Sequence, residues 1–453
     1  MSPAPVNPAP RRGWCPGLAR PMPTGDGLLV RLHPVAGRLG AVQARAAARA
    51  AQEGGNGLLD VTARGNLQIR GVTAGRHAQV VAILGEAGLG DVRHDGGPQR
   101  LTLNAPLAGA DGLGIVAAVE AIGREVAGLP AKTLVAVEDA AGGLGPVEAD
   151  FWVRVAPGLS PAPLPHGRGD PAPLSVPDDA PGSPVDMGRN ALPPLQLAVA
   201  TESGPLWLTP TSAPTALAFL RTLLHGLAAS GARRMRALPR PQWDALLDGL
   251  MPGGPPPAST ALPAGLHGRA LLAEFPFGRC DAALLDRLAG WSEAHGDGHL
   301  ALTPGRGIAL TARDEAAAAT LRAQAEAAGL TVDPADPRRA VAACPGAPAC
   351  ASGGTPAQDH APRLAAAFAH LAKAGATAHV SGCPKGCAQL KAATLTLVGR
   401  ADGRYGVVLE GNAGTETDLA LTFGAVLERL ESTRVRPTLD DPSGLRDAFR
   451  EPA

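Results

Sequence analysis

"GLLDVTARGNLQIRGV", residues 57–72, and "GHLALTPGRGIALT", residues 298–311, decide the fold of this chain, because they are one pattern written twice. A shift of 241 residues lays Gly57 on Gly298, Leu59 on Leu300 and Thr62 on Thr303 without a gap, and brings Leu67 and Ile69 onto Ile308 and Leu310. The match extends upstream, where Gly37-Arg38 falls on Gly278-Arg279 and Gly55 on Gly296. Single glycine matches carry little weight in a Gly-rich chain; the shared order of elements carries more. In the first copy "GLLVRLHP" alternates weakly as a strand, residues 39–52 carry a helical apolar stripe, and residues 57–72 read as a strand kinked at Arg64-Gly65. "GRALLAEFPF", "CDAALLDRLAGWSEAH" and residues 298–311 repeat that order in the second copy. Each copy is half of a ferredoxin-like sheet, so the two are expected to pair into one pseudo-symmetric unit.

A larger α/β segment follows each copy. "LTLNAPLAGADG" in the first occupies the place where "VAACPGAPACASG" stands in the second, and it holds no cysteine. The fold class expected is therefore α+β with a pseudo-twofold duplication: two ferredoxin-like half-domains plus two α/β lobes. The expected division is 1–98 (opening segment and first half), 99–258 (lobe without cysteine ligands), 259–335 (second half) and 336–453 (lobe with them). Residues 157–194 are dense in Pro, Gly and Asp and read as a long loop. "PGGPPPASTALPA", residues 252–264, marks the boundary between the halves.

The second lobe carries "CPGAPAC" (Cys344, Cys350) and "CPKGC" (Cys383, Cys387). Four thiolates are the ligand set for the irons of a cubic iron–sulfur cluster. Five residues separate the first pair, three the second, and 32 lie between the pairs, which fits a structural zinc knuckle poorly. The prolines and glycines around the cysteines keep the chain out of helix, so that backbone N–H groups can turn toward sulfur. The plainer alternative is four inert buried cysteines or two disulfides. Cys15 and Cys280 are left over and read as small buried residues.

With 453 residues the chain has room for two to four domains of roughly 100–200 residues each. Its 41 basic and 41 acidic residues cancel, so no global field draws it to nucleic acid or an anionic membrane, and neither is expected as a partner. No signal-like apolar stretch opens the sequence and none reaches membrane-spanning length, so a cytoplasmic protein is expected. The 11 histidines form no HxH or HExxH, and His33 and His379 read as core or surface residues. Along the strand of residues 62–71, Asn66 and Gln68 alternate with Leu67 and Ile69, giving one apolar and one amide-bearing face. No GxGxxG stands between a strand and a helix, so no dinucleotide domain is expected.

The duplication, the "TxRxNxQxRG" strand (Thr62, Arg64, Asn66, Gln68, Arg70, Gly71) and the cysteine spacings together resemble the sirohaem-type nitrite and sulfite reductase superfamily, over nearly the whole chain. In that superfamily the halves and lobes enclose a tetrapyrrole, with a 4Fe–4S cluster beside it. The resemblance implies Cys344, Cys350, Cys383 and Cys387 as cluster ligands, with Cys387 closest to the tetrapyrrole. The opening "RRGWCPGLARPMPTGDGLLVRLHP" most resembles the precorrin-3B synthase branch. That branch implies oxygenation of the tetrapyrrole precorrin-3A by O2, with a separate NAD(P)H-linked electron donor. It further implies, in some members, a mononuclear non-haem iron whose ligands this sequence does not identify. Arg31, Arg64, Arg70, Arg100 and Lys132, with Asn66 and Gln68, are the expected substrate contacts; a solvated Arg is the bland reading of each. Leu134 stands where a typical reductase has a second lysine, so the small-anion clamp is incomplete. A sirohaem-dependent sulfite or nitrite reductase is the alternative.

Overall fold

The computed structural model describes residues 15–139, 142–156, 192–434 and 442–449. The expected loop at 157–194 lies outside these as far as residue 191, as do residues 11–14 of the opening motif. Among the described residues the strands form four five-stranded sheets, and the two repeats supply two of them. The first contains Met22–Thr24, Gly27–Leu32, Leu67–Val72 and Leu58–Val61; the second contains Gly265–His267, Ala270–Glu274, Gly307–Thr311 and His299–Thr303. Each sheet is completed by a strand from the other half. Arg279–Asp281 pairs with Leu58–Val61, and Arg38–Gly40 pairs with His299–Thr303, both antiparallel. The duplicated halves therefore interlock, and the residues matched at the 241-residue shift, Gly37-Arg38 and Gly278-Arg279, sit at this exchange.

Residues 57–72 are not one kinked strand. They are two antiparallel strands, Leu58–Val61 and Leu67–Val72, joined by a tight turn. Thr62 closes it: its N–H donates to Asn66 O at 2.9 Å, and its Oγ1 accepts from the N–H groups of Arg64 and Asn66 at 3.3 and 3.1 Å. Gly65 adopts φ +62°, and a Cβ there would stand 2.7 Å from Leu302 O. Sequence alternation continues through such a turn, so periodicity alone does not reveal it.

A single core serves both halves, with Leu32, Leu59 and Ile69 of the first packed with Leu271, Leu300 and Ile308 of the second. Helix Ala41–Gly54 buries Ala44, Ala47, Ala48 and Ala51, and these small side chains let it lie close against Ala282–His295. Arg45 bridges that helix pair to Glu293 at 2.6 Å on the exposed side.

The two lobes share one topology. Thr102–Asn104, Val135–Glu138, Phe151–Val155, Leu195–Thr201 and Gly204–Trp207 run in that order, paired parallel, parallel, antiparallel, antiparallel. Val341–Ala343, Ala378–Ser381, Ala393–Gly399, Tyr405–Gly411 and Ala420–Leu421 repeat the order and the pattern. The cysteine segment thus stands where residues 105–109, 139 and 142–149 stand in the first lobe. No helix among the described residues is long and apolar enough to cross a membrane.

Candidate functional site

Parallel pairing brings the two cysteine motifs together. Cys344 leaves strand Val341–Ala343 and Cys383 follows Ala378–Ser381, so both loops emerge from the same edge of adjacent parallel strands. Cys344 N–H donates to Val380 O at 3.2 Å, and the Gly382 N–H donates to Cys344 Sγ at 3.0 Å. The loops nest so closely that a Cβ on Gly382 would come within 2.8 Å of Gly346 Cα. Cys344 and Cys383 are buried, Cys350 is half-buried and Cys387 is exposed, so the set is open on the Cys387 side. Burial is the main cause that raises the Cys344 and Cys387 thiol pKa values, and for both the sulfurs of Cys383 and Cys350 raise them further. Such crowding of four soft anions is relieved by a cationic core, and the N–H donor aimed at Cys344 Sγ belongs to the same chemistry. Among the described residues no group of three or more Cys, His, Asp or Glu converges as a site for a single metal ion. A cubic cluster is wider than one ion and takes its thiolates at separate corners, so these four residues fit it.

The first half-sheet turns a polar face toward this lobe. Arg31, Gln68, Asp60 and Arg279 lie in one row across four strands. Arg31 donates from Nε and Nη2 to Gln68 Oε1 at 3.0 and 2.6 Å, and Arg279 Nε donates to Asp60 at 2.7 Å. Arg70 departs from its expected role as a substrate contact. It is buried, it pairs with Asp26 at 2.9 Å and Asp60 at 3.6 Å, and its Nη2 donates to Ala349 O at 2.6 Å inside the CPGAPAC loop. With its donors committed, it positions the cysteine loop on the sheet. Arg100 is likewise engaged with backbone. It is buried and donates to Thr102 O at 3.0 Å, to Gly65 O at 2.9 Å and to Arg64 O, clasping the Arg64-Gly65 turn. Burial lowers its pKa to about 10.

Arg64 is half-buried, and its guanidinium makes no hydrogen bond or ion pair among the described residues. Burial lowers the pKa of both Arg31 and Arg64; Arg64 lowers that of Arg31, and Arg234 lowers that of Arg64. Two neighbouring, half-buried guanidinium groups with no carboxylate partner have the chemistry to pair with an anionic group. Lys132 is exposed at the rim, and its carbonyl accepts from Arg234 Nη1 at 3.3 Å. Cys15 joins this cluster, its Sγ 3.5 Å from Ala131 O. Asn66 is buried on the same side of the sheet.

Sequence reading missed two cations. Arg234 is held by Asp150 at 3.0 Å and faces Arg64; it lies in the basic run "ARRMR", where nothing in the pattern marks which member turns inward. Arg306 falls on Gly65 at the 241-residue shift and takes φ +71° at the second hairpin turn. Its Nη2 donates to Ala388 O beside Cys387. The two turns touch through a bridge between Arg64 and Pro304, so the polar face reaches both cysteine loops: at one end through Arg70 and at the other through Arg306.

Comparison with known proteins accords with this geometry. The family model described as nitrite/sulfite reductase ferredoxin-like half domain matches residues 20–87. A curated Sinorhizobium sp. protein named precorrin-3B synthase is 31% identical over 414 residues, covering 89% of this chain and 84% of its own. The chain belongs to the precorrin-3B synthase family. Its fold is that of the nitrite/sulfite reductase superfamily. Mycobacterium tuberculosis NirA superposes with a TM-score of 0.61 at 19% identity, over 90% of this chain and 80% of its own.

Proposed function

We propose that this protein is an O2-dependent monooxygenase of aerobic cobalamin biosynthesis that converts precorrin-3A to precorrin-3B, adding one oxygen at a meso carbon while a ring acetate closes a lactone. The family relationship supports the reading. The structural observation that carries it is the pair Arg31 and Arg64, half-buried without carboxylate partners on a face that abuts the four-cysteine site.

A 4Fe–4S cluster held by Cys344, Cys350, Cys383 and Cys387 supplies single electrons when bound. Arg31 and Arg64 bind carboxylates of the macrocycle, with Gln68 orienting Arg31. Arg100 fixes the backbone under Arg64, so this cation is placed before the ligand arrives. Arg234 and Lys132 add positive charge at the rim, and Asn66 offers an amide to the ligand's uncharged groups. Arg70 locks the cysteine loop against the ligand-binding face, and the surrounding lobes exclude water from the site. Electrons reach the protein from a separate NAD(P)H-linked donor in the cytoplasm. The chain divides functionally at about residues 98, 258 and 335, with the cluster in the last part. A mononuclear iron has no assigned ligands in this scheme.

The test is anaerobic reconstitution with iron and sulfide, followed by precorrin-3A, O2 and a reductant, with the product read by mass spectrometry. A gain of one oxygen atom is expected. An unchanged macrocycle, or strong red-region sirohaem bands accompanied by sulfite reduction, overturns the reading.

A further inference from the structure

Near the Arg64 turn, the polar face holds two side-chain atoms that the protein itself does not use. His33 and Asn66 each lie one residue beyond the pairing of Leu32 with Leu67, at the same end of two neighbouring antiparallel strands. Alternation then sends both side chains to the face that carries Arg31 and Gln68. His33 Nδ1 and Asn66 Oδ1 are both buried, and neither has a hydrogen-bond partner. Leaving one buried polar atom unpaired costs about 1–3 kcal/mol, so two at the same end of neighbouring strands mark a place for a group that comes with a ligand. Burial, with Arg31 and Arg100 nearby, depresses the His33 pKa to about 3, so the ring is neutral. Anionic groups have Arg31 and Arg64 to go to. The His33–Asn66 pair is uncharged and offers one ring nitrogen and one amide oxygen, which suits an uncharged group that both accepts and donates a hydrogen bond.

We propose that His33 and Asn66 together bind one hydroxyl group of the tetrapyrrole, with His33 Nδ1–H donating to the hydroxyl oxygen and the hydroxyl donating to Asn66 Oδ1. The inference rests on the function proposed above, with the oxygen added at the meso carbon standing in the product as a hydroxyl that the substrate lacks. His33 is then a positioning residue that discriminates the hydroxylated macrocycle from its precursor, while the arginines bind both alike.

The experiment titrates the full-length, cluster-loaded protein with precorrin-3A and with precorrin-3B under anaerobic conditions, following quenching of tryptophan fluorescence. His33→Leu is expected to weaken precorrin-3B binding about tenfold and to leave precorrin-3A binding unchanged. Asn66→Leu should weaken precorrin-3B binding by more than it weakens precorrin-3A binding, and for precorrin-3B the double variant should add little to either single one. His33→Asn, which returns an N–H donor near the place of Nδ1, should recover most of the loss. Equal weakening of both ligands, or none for either, in variants with the wild-type Tm overturns the inference and leaves the proposed function standing. If His33→Leu does not fold, His33→Asn and Asn66→Leu decide the same question. Wild-type protein that binds neither macrocycle overturns both.

Discussion

Arg70 Nη2 donates to Ala349 O at 2.6 Å, joining the first half-sheet to a cysteine loop 279 residues away in sequence. The same guanidinium pairs with Asp26 and Asp60, so one buried side chain connects the ligand-binding face to the four-cysteine site. Arg70→Met leaves the half-buried Asp26 carboxylate without its cation, while Asp60 keeps Arg279, and is expected to cost about 3 kcal/mol. Urea unfolding measures that loss. In the same variant, brown absorbance should decay faster under air, because Ala349 no longer anchors the loop. Unchanged stability and unchanged cluster lifetime would show that Arg70 holds nothing in place.

The cysteines divide into two groups. Cys387→Ser is expected to abolish cluster assembly and product formation, as read from iron content and visible absorbance after reconstitution. Cys280→Ala should keep the full iron content. Cys280 is buried in the shared core, where burial raises its thiol pKa, and removing its sulfur should cost only about 1–2 kcal/mol of stability.

Arg64 and Lys132 separate a half-buried cation from an exposed rim cation. Arg64→Met is expected to weaken tetrapyrrole binding by about tenfold to a hundredfold, and Lys132→Met by less than about fivefold at moderate salt. Isothermal titration at two ionic strengths distinguishes them, since screening acts mainly on the exposed charge. Gly65→Ala should mimic the loss at Arg64, because the left-handed backbone and the Leu302 carbonyl leave no space for a methyl group there.

His379 gives the protein an acid limit. It is buried, both ring nitrogens lack partners, and burial with Arg306 nearby lowers its pKa to about 4. The folded pKa lies below the unfolded value of about 6.5, so the unfolded state takes up the proton first as pH falls. The stabilisation is complete above about pH 6.5 and declines by up to about 1.4 kcal/mol per pH unit between there and about pH 4. His379→Leu should flatten the curve of urea midpoint against pH in that window and hold stability near neutral pH. An equally steep curve in the variant assigns the acid loss to other groups.

The 241-residue self-match made the duplication, the class of fold and the equivalent places of the two lobes legible in the chain, since repeated glycines and apolar positions record backbone demands that do not depend on distant partners. The four cysteines stood out as a candidate ligand set for the same reason: thiolate chemistry and spacing are local. The roles of the arginines were not. Arg31, Arg64, Arg70 and Arg100 look alike in sequence, yet Asp26, Asp60 and Ala349 claim Arg70, three carbonyls claim Arg100, Gln68 holds Arg31, and the Arg64 guanidinium has no hydrogen-bond or ion-pair partner among the described residues. The exchange of Arg38–Gly40 and Arg279–Asp281 between sheets, the Thr62–Asn66 turn and the inward place of Arg234 were equally hidden. Each depends on a partner brought close only by folding, and a guanidinium group takes its role from the acceptors that happen to surround it.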